Sequence, residues 1–455
     1  MSSPTLTQGP IGPHIRKIAL PMSIGFFFNT MYNVVDSFYA GQISTQALAA
    51  MALCFPVFFI IIALSEGVSR GSSALIANSI GAEDREKESA FTSQVFSLGF
   101  FFAIGITITG LNVAPPLFRL MGASGDYFQL ADDYISPLFW GSAFFLLSSL
   151  SNSILIAHGD SKTFGKVLVA GFFLNLVLNP WFLYGGFGVP AMGIAGIAWA
   201  TVVIQAAGGI FLLTTVLRRK YIHISGIREL MPKLKIYGEI LHQGIPTAFN
   251  MMSIALGFFV STYYLNTYSE VAVAAFGVGT RIEQMALLPA IGLGTAIVSI
   301  VGQNNGARRF DRVRECVTLC IKYGFVIIAV ASLIMYIFAT PLVRLFTDDP
   351  AVISTGTDYV RIMTFIQWAY VMTFTHTGFL QAVKRPMYGF IESIIRKIIL
   401  PIGIFYLLVN VLAVKLNEFL YGMAAINVVM TFVTIVYAQW VLRKKLGDSE
   451  ETQPA

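Results

Sequence analysis

The chain has 455 residues, of which 56% are hydrophobic and 12% are charged, and its mean hydropathy is +0.71. Soluble domains carry about 25% charged residues and roughly 45–50% apolar ones, so the composition excludes a soluble fold. The net charge of +6 is typical of a membrane protein that keeps basic residues in its cytoplasmic loops, and nucleic acid is therefore not an expected partner.

The first residues, Met1 to Pro13, are polar and lack the basic-then-apolar layout of a cleavable signal. We therefore expect the first apolar run to stay in the mature protein. The cysteines Cys54, Cys316 and Cys320 fit no disulfide framework, and they are predicted to be reduced packing residues.

Apolar stretches bounded by charged or turn residues recur along the whole chain. At about 20 residues per membrane-spanning helix, they predict twelve transmembrane helices in an all-α integral membrane protein, and several are long enough to tilt. Numbered in chain order as spans 1 to 12, the stretches are residues 15–40, 47–78, 90–114, 130–157, 164–184, 191–217, 238–266, 271–302, 315–340, 354–383, 390–413 and 419–442.

The basic residues sort to one side of these spans. The odd-numbered loops and their flanks hold only Arg119, Arg344, Arg361 and Lys415. The even-numbered loops, their flanks and both ends hold a much larger set, namely Arg16, Lys17, Arg85, Lys87, Lys162, Lys166, six residues between Arg218 and Lys235, Arg308, Arg309, Arg312, Arg314, Lys384, Arg385, Arg396, Lys397 and Arg443 to Lys445. Because positive residues stay on the cytoplasmic side, we predict a multi-pass protein of the cell inner membrane with both termini in the cytoplasm.

The sequence repeats itself at a shift of 225 residues. The shift superimposes Pro21 on Pro246, Gly81-Ala82 on Gly306-Ala307, Pro116 to Leu120 on Pro341 to Leu345, and Asp133-Tyr134 on Asp358-Tyr359. An even number of spans in each half makes the repeat parallel, related by an axis along the membrane normal. We predict two six-helix lobes, residues 1–217 and 243–455, joined by a basic cytoplasmic linker at residues 218–242.

Asp36 in span 1 is the clearest charge inside the predicted hydrocarbon region. An aspartate at a helix centre costs about 2.5–3.5 kcal/mol, which marks it as a functional candidate. Asn29, Asn33 and Asp36 follow at spacings of four and three, so they share a helical face, which we expect to look inward.

Topology places further polar residues at the depth of Asp36. Asn175 and Asn179 lie near the outer end of span 5, and Ala195 and Thr201 lie near the outer start of span 6. All of them share the outer half of the first lobe. We therefore predict that they meet Asp36 at one site.

The predicted site suits a small cation. A carboxylate among amides and a hydroxyl, with no basic residue nearby, is desolvated without a counter-charge and favours neutralisation by a proton. The same oxygen-rich set, Asp36, Asn175, Asn179 and Thr201, suits Na⁺ as a metal ligand set. The alternative is an aspartate satisfied by water near the outer interface, with the other polar groups serving helix–helix hydrogen bonds.

Other polar or unusual residues inside the spans have competing interpretations. Pro21 removes a hydrogen bond from span 1, which leaves either a movable or a static kink. Glu66 and Arg70 are one helical turn apart and are predicted to neutralise each other. Arg281 is deep in span 8 without a partner that sequence can name, and His376 in span 10 is a packing residue or a proton relay.

Several activities lack their motifs in this sequence. The segment Gly159 to Val167 has the wrong glycine spacing for a P-loop, so transport would have to be secondary. There is no His-Glu-x-x-His motif and no nucleophile elbow, and an enzyme is not expected. The 38 Phe, 18 Tyr and 16 Met residues supply apolar and π surface that can accept hydrophobic cations.

The chain resembles the MATE (multidrug and toxic compound extrusion) transporters, and more narrowly their bacterial DinF-like branch. The resemblance covers nearly the whole chain and includes the repeat of two six-helix lobes. The residues that carry it are Ile18 to Pro21 with Asp36, Gly81-Ala82, Pro116 to Leu120, Asn175 with Asn179-Pro180, and Gly193 to Gly196 before Thr201.

The resemblance implies export of cationic, amphipathic drugs from the membrane in exchange for H⁺ or Na⁺, by alternating access between the lobes. It assigns the ion site to Asp36, Asn175, Asn179, Ala195 and Thr201, and it implies that span 1 bends at Pro21 after protonation. No cofactor besides the coupling ion is expected, and we expect a monomer. Some relatives have an acid where this chain has Asn179, and NorM-like members have acids in spans 7 and 10, where this chain has none at depth.

Two alternatives stay open at this point. A flippase for lipid-linked oligosaccharides or lipids, of the same superfamily, would need several inward-facing basic residues, and Arg281 is the only deep candidate that the sequence offers. A membrane-embedded enzyme acting on lipid would need acid, base or metal residues clustered at one interface.

Overall fold

A computed structural model describes residues 6–222 and 229–450, with side chains described to residue 445. Within these ranges the secondary structure is helical, apart from one β-bridge between Gly186 and Val189. The helices are α1 (Ile11–Ile43), α2 (Thr45–Gly81), α3 (Arg85–Leu120), α4 (Gly125–Trp140), α5 (Ser142–Ala157), α6 (Lys162–Tyr184), α7 (Ile194–Arg218), α8 (Leu234–Asn266), α9 (Glu270–Gly306), α10 (Phe310–Ile337), α11 (Ala339–Arg344), α12 (Pro350–Thr364), α13 (Gln367–Ala382), α14 (Met387–Ile394), α15 (Leu400–Tyr406) and α16 (Leu416–Glu450). π-Helical turns at Ile395–Ile399 and Leu407–Val411 make α14 and α15 one continuous span.

The helices account for the predicted spans. Among the described residues, ten helical segments are long and apolar enough to cross a membrane, and α4 and α5, bent by 47° at their junction, form an eleventh. The pair α12 and α13 begins 225 residues after the pair α4 and α5 and completes the twelve. The prediction of an all-α protein with twelve membrane helices is confirmed.

The two halves repeat in structural detail. Helices α2 and α9 both have 37 residues. Each is capped by a serine, because Ser44 Oγ accepts a hydrogen bond from the Ala47 N–H and Ser269 Oγ accepts one from the Ala272 N–H. Each is followed by a residue with φ of 56°, Glu83 or Arg308, which lie 225 positions apart.

The chain forms two compact units, and their boundaries fall inside helices. The first unit is Ile24–Ala248, and the second unit is Met1–Ser23 together with Phe249–Ala455. Each boundary lies two residues after a proline, Pro21 in α1 and Pro246 in α8. The predicted lobes 1–217 and 243–455 assign residues 6–23 to the first half, whereas the structure packs them with the second, and 223–228 of the predicted linker lie outside the described residues.

Apolar packing explains why the first helical turns belong to the second unit. Ile11, Ile15 and Ile18 follow at helical spacing, are 0% exposed, and join a buried cluster with residues of α9 and α10. The Leu6 N–H donates to Gln303 Oε1 at 2.8 Å. This face of α1 is buried within the second unit, so the first residues of the chain pack with helices from its second half.

Small residues allow the crossed-over segments to approach closely. In the second unit, a methyl group on Gly292 of α9 would collide with Ser23 Oγ and lie 2.7 Å from the Ala19 carbonyl oxygen. Ser23 Oγ donates to that same carbonyl at 2.8 Å, beside Pro21, which has no N–H to donate. Helix α1 is continuous through Pro21, and its bending during transport stays a prediction.

The three cysteines are free and buried, as predicted. Cys316 and Cys320 lie in the apolar cluster that holds the first turns of α1, and Cys54 Sγ donates to the Ala131 carbonyl oxygen at 3.2 Å. Free and buried, the three cysteines serve packing.

Candidate ion-binding site

The carboxyl group of Asp36 is buried in the first unit. Asp36 lies in α1, seven residues before its end at Ile43, which is about 10 Å at a rise of 1.5 Å per residue. The residue is only 4% exposed. Protein groups, and not interfacial water, therefore have to satisfy this carboxyl group.

Two asparagines of α6 satisfy one of its oxygens. Asn175 Nδ2 donates to Asp36 Oδ1 at 2.7 Å, and Asn179 Nδ2 donates to the same oxygen at 2.8 Å. Both asparagines are 0% exposed. They are one helical turn apart, so they present their amides on one face of α6. The structure thus brings together three of the residues that the sequence placed at a common depth.

Helix α7 adds a hydroxyl group to this site. Thr201 lies beside the Asp36 carboxyl group, and the Tyr32 hydroxyl donates to Thr201 Oγ1 at 2.8 Å. Tyr32 was not predicted to belong to the site. Its signal was the spacing, because Tyr32 lies four residues before Asp36 and so one turn away on the same face of α1.

Two members of the predicted polar stripe of α1 do not join the site. Asn29 and Asn33 are exposed, and Asn33 Nδ2 donates to the Asn29 carbonyl oxygen within its own helix. Ala195, six residues before Thr201 on α7, is partly exposed, and its methyl group can neither donate nor accept a hydrogen bond. Tyr32 takes the place on α1 that the stripe assigned to the asparagines.

The site holds a negative group without a counter-charge and oxygens without partners. Among residues 6–222 and 229–445, no basic side chain lies within 4.0 Å of the Asp36 carboxyl group. The amide oxygens of Asn175 and Asn179 are buried and accept no hydrogen bond. In the described part of the chain, no group of three His, Cys, Asp or Glu residues could hold a metal. These carboxylate, amide and hydroxyl oxygens suit a hard cation or a proton.

The second unit contains charges that the sequence analysis placed wrongly. Arg396 and Lys397 were assigned to a cytoplasmic flank, but they lie inside the membrane-length segment Met387–Val411. Lys397 lies ten residues after the first residue of that segment, about 15 Å along the helix. Arg281 is therefore not alone among the basic residues that lie inside membrane-length helices.

Arg396 is neutralised within its own helix. Its Nε lies 2.7 Å from Glu392 Oε1, and the two side chains are 10% and 1% exposed. Arg396 Nη1 also donates to Asn427 Oδ1 at 3.5 Å. The pair sits at the π-helical turn Ile395–Ile399, a distortion often found at functional sites. The glutamate four residues earlier is the signal that could have identified a buried pair.

The remaining polar residues inside the spans have simpler surroundings. Glu66 and Arg70 pair at 3.4 Å, as predicted. His376 is buried and donates from Nδ1 to a carbonyl oxygen of its own helix at 2.7 Å, which agrees with a packing role. Arg281 is exposed. Glu283 in α9 is 6% exposed, and the sequence analysis did not identify it as a buried acid.

The family model described as MatE matches this chain twice, over residues 21–181 and 246–407. The two matches begin 225 residues apart, which confirms the internal repeat. Together they cover more than half of the chain and include Asp36, Asn175 and Asn179 in the first match and Arg396 and Lys397 in the second.

Curated proteins and solved structures show the same relationship. The chain is 26% identical to the probable multidrug resistance protein YoeA of Bacillus subtilis, over 84% of this chain and 83% of that protein. It is 27% identical to the FAD transporter of Shewanella oneidensis, over 87% of each. A MOP superfamily transporter from Pyrococcus furiosus, described as having a binding pocket of reverse polarity, superimposes with a TM-score of 0.90 at 27% identity and covers 98% of this chain and 99% of that one.

Proposed function

Because the chain belongs to the MatE family of membrane transporters, we propose that it exports cationic, amphipathic small molecules across the cell inner membrane in exchange for H⁺ or Na⁺. It is a multi-pass transporter and not an enzyme, so the lipid-enzyme alternative is set aside. Both termini lie in the cytoplasm in this proposal, which follows from the distribution of basic residues. The transporter works as a monomer and needs no cofactor besides its coupling ion.

The observation that carries this proposal is the buried carboxyl group of Asp36 with two amide donors on one oxygen. Such donors stabilise the ionised carboxylate, whereas burial without a counter-charge opposes it. A group balanced in this way gains and loses a small cation readily. Asp36 is therefore the residue whose occupancy couples ion entry to substrate release.

The two candidate ions would use the same residues differently. Na⁺ would take oxygen ligands from Asp36, Asn175, Asn179 and Thr201, and rotation of either amide would turn its unpartnered oxygen toward the carboxylate. A proton would convert the Asp36 carboxyl group into a donor, and the same amide oxygens would then be its acceptors. Either ion would neutralise Asp36.

One coupling carboxyl group is energetically sufficient. A single charge moving through a membrane potential of about 150 mV supplies roughly 3.5 kcal/mol. Since about 1.4 kcal/mol corresponds to a tenfold ratio, this supports a substrate gradient of several hundredfold. No second buried acid is needed for drug export.

Alternating access completes the proposed cycle, and Pro21 is its proposed hinge. Asp36 lies fifteen residues beyond Pro21 on the same helix. Neutralisation of Asp36 weakens the charge-assisted hydrogen bonds that its carboxylate accepts from Asn175 and Asn179. Because Pro21 lacks one intrahelical hydrogen bond, α1 bends there at lower cost than elsewhere.

Transport by inside-out vesicles tests the coupling. Vesicles that contain the transporter are given a pH gradient or a Na⁺ gradient separately, and uptake of ethidium is followed by fluorescence. We expect one of the two gradients to drive uptake. Uptake that needs neither gradient, or that follows ATP addition with both gradients collapsed, would overturn ion-coupled export.

A flippase for lipid-linked oligosaccharides is the second candidate, and the deep position of Lys397 favours it. Such proteins use several basic side chains to hold phosphates. Here Arg396 is occupied by Glu392, which leaves Lys397 and the exposed Arg281. This small basic set supports drug export as the leading proposal, and translocation of a pyrophosphate-linked lipid in proteoliposomes would favour the flippase instead.

A further inference from the structure

Lys397 has a membrane-buried amino group that its surroundings leave largely unsatisfied. Its Nζ donates to Ser253 Oγ of α8 at 3.4 Å, which uses one of the three donors of an ammonium group. In the described part of the chain, no carboxylate lies within the 4.0 Å ion-pair distance of Lys397. The adjacent glutamate, Glu392, pairs with Arg396 instead.

The position of this amino group is fixed by packing. A methyl group on Gly257 of α8 would lie 2.9 Å from Lys397 Cβ and 3.2 Å from the Lys397 carbonyl oxygen. The side-chain stem of Lys397 therefore lies directly against the α8 backbone, where only glycine leaves room. The π-helical turn Ile395–Ile399 sets this register. The lysine as a whole is partly exposed, so protein does not enclose its side chain completely.

We propose that Lys397 and Ser253 bind the anionic group, a carboxylate or phosphate, of an amphiphile during export. An anion would supply both the opposite charge and the acceptors that the Lys397 amino group lacks. The Ser253 hydroxyl, which donates to the Asn250 carbonyl oxygen at 2.6 Å in this structure, would add a donor by turning toward the anion. This inference rests on the proposed export function and extends the substrates from cations to zwitterions and anions. Lys397 lies ten residues inside the membrane-length segment Met387–Val411, about 15 Å along the helix, whereas the phosphates of the resting bilayer lie at the interface.

Equilibrium binding of a matched dye pair to the purified full-length transporter tests this subsite. Rhodamine B carries a free carboxylate, and its ethyl ester carries the same cationic ring system without that charge. Fluorescence anisotropy measures both affinities for the wild type, Lys397→Gln and Lys397→Arg. The matched control is Lys415→Gln, the same change at an exposed lysine before α16.

We expect Lys397→Gln to weaken rhodamine B binding by about tenfold or more, as loss of one charge-assisted hydrogen bond implies. The ester should bind the wild type and Lys397→Gln alike. Lys397→Arg should retain the preference for the acid, and Lys415→Gln should behave as the wild type. Equal weakening of acid and ester, or no weakening of either, would overturn the subsite. Thermal unfolding of each variant separates loss of binding from loss of folding.

Two further measurements identify the source of the anion and distinguish failure of the subsite from failure of the proposed export function. Undecaprenyl pyrophosphate that displaces rhodamine B from the wild type and from Lys397→Arg, but needs about a tenfold higher concentration to do so from Lys397→Gln, would assign the same subsite to a lipid phosphate. Lack of displacement from the wild type would assign it to soluble amphiphiles. Wild-type vesicles that export neither dye would refute the proposed export function. Vesicles that export the ester but show no effect of Lys397→Gln on the acid would refute only the role of Lys397.

Discussion

Gly67 of α2 lies directly against Ala248 of α8 within the first unit. A methyl group on Gly67 would come within 2.6 Å of Ala248 Cβ and 2.7 Å of the Gly244 carbonyl oxygen. In the second unit, Gly292 and Ser23 stand in the same relationship, and both pairs are related by the 225-residue shift. In each half of the repeat, a glycine therefore leaves room for the first helix of the other half to pack closely: Gly67 for α8 and Gly292 for α1.

Substitution of Gly67 by alanine should destabilise the protein, because the added methyl group would meet backbone atoms that cannot move aside. Overpacking of this kind costs about 1–3 kcal/mol. The same change at Gly105, where an added methyl group meets nothing within 4 Å, is the control. Thermal unfolding in detergent measures both, and equal midpoints for the two variants would contradict the close contact.

Removal of either amide donor should impair ion-driven export. Asn175→Ala or Asn179→Ala deletes one hydrogen bond to a charged acceptor, worth about 1.5–3 kcal/mol, which corresponds to roughly a tenfold to hundredfold loss. Asn112→Ala changes an exposed asparagine that bonds only within its own helix and should export normally. Vesicle uptake at equal expression provides the comparison, and wild-type rates for both site variants would remove these amides from the mechanism.

The Tyr32 hydroxyl should contribute less than the two amides. Tyr32→Phe deletes a neutral hydrogen bond to Thr201, worth about 0.5–1.5 kcal/mol, so export should fall by roughly twofold to tenfold. Tyr184→Phe, at a tyrosine that is 61% exposed, controls for loss of a hydroxyl. If Tyr32→Phe matched Tyr184→Phe in the same uptake assay, Tyr32 would be a packing residue only.

Breaking the ion pair between Arg396 and Glu392 should lower the free energy of unfolding. Arg396→Gln leaves the Glu392 carboxylate uncompensated, and such losses cost about 3–5 kcal/mol. The double variant Arg396→Gln with Glu392→Gln removes both charges and should recover much of that stability. Thermal unfolding of the single and double variants tests this, and equal destabilisation by both would show that the charges do not act as a pair.

The sequence was sufficient for the spans, the repeat and most of the ion site. Hydropathy marks each span directly, and a shared depth on adjacent helices was enough to bring Asn175, Asn179 and Thr201 to Asp36. Tyr32 was missed because a tyrosine among apolar residues gives no polar signal until its hydroxyl finds a partner. Asn29 and Asn33 share a helical face but lie outside the site, because helical periodicity groups residues on a face without showing what each of them contacts.

The second unit was harder to predict for physical reasons. Arg396 and Lys397 were assigned to the cytoplasmic side because basic residues near a span's predicted start usually remain outside the hydrocarbon region. The helix begins at Met387, so Arg396 and Lys397 lie nine and ten residues inside the membrane-length segment and not at its flank. The grouping of Ile11, Ile15 and Ile18 with α9 depends on tertiary packing, which no local pattern encodes.

Export by Asp36→Asn measures the central claim most directly. The change keeps the size of the side chain but removes the charge that an ion would neutralise, and Asp348→Asn provides the same change at an exposed residue. At equal expression, and with substrate binding retained, Asp36→Asn should abolish gradient-driven ethidium uptake in inside-out vesicles, while Asp348→Asn should match the wild type. Gradient-driven uptake by Asp36→Asn at the wild-type rate would show that another group couples the ion to transport.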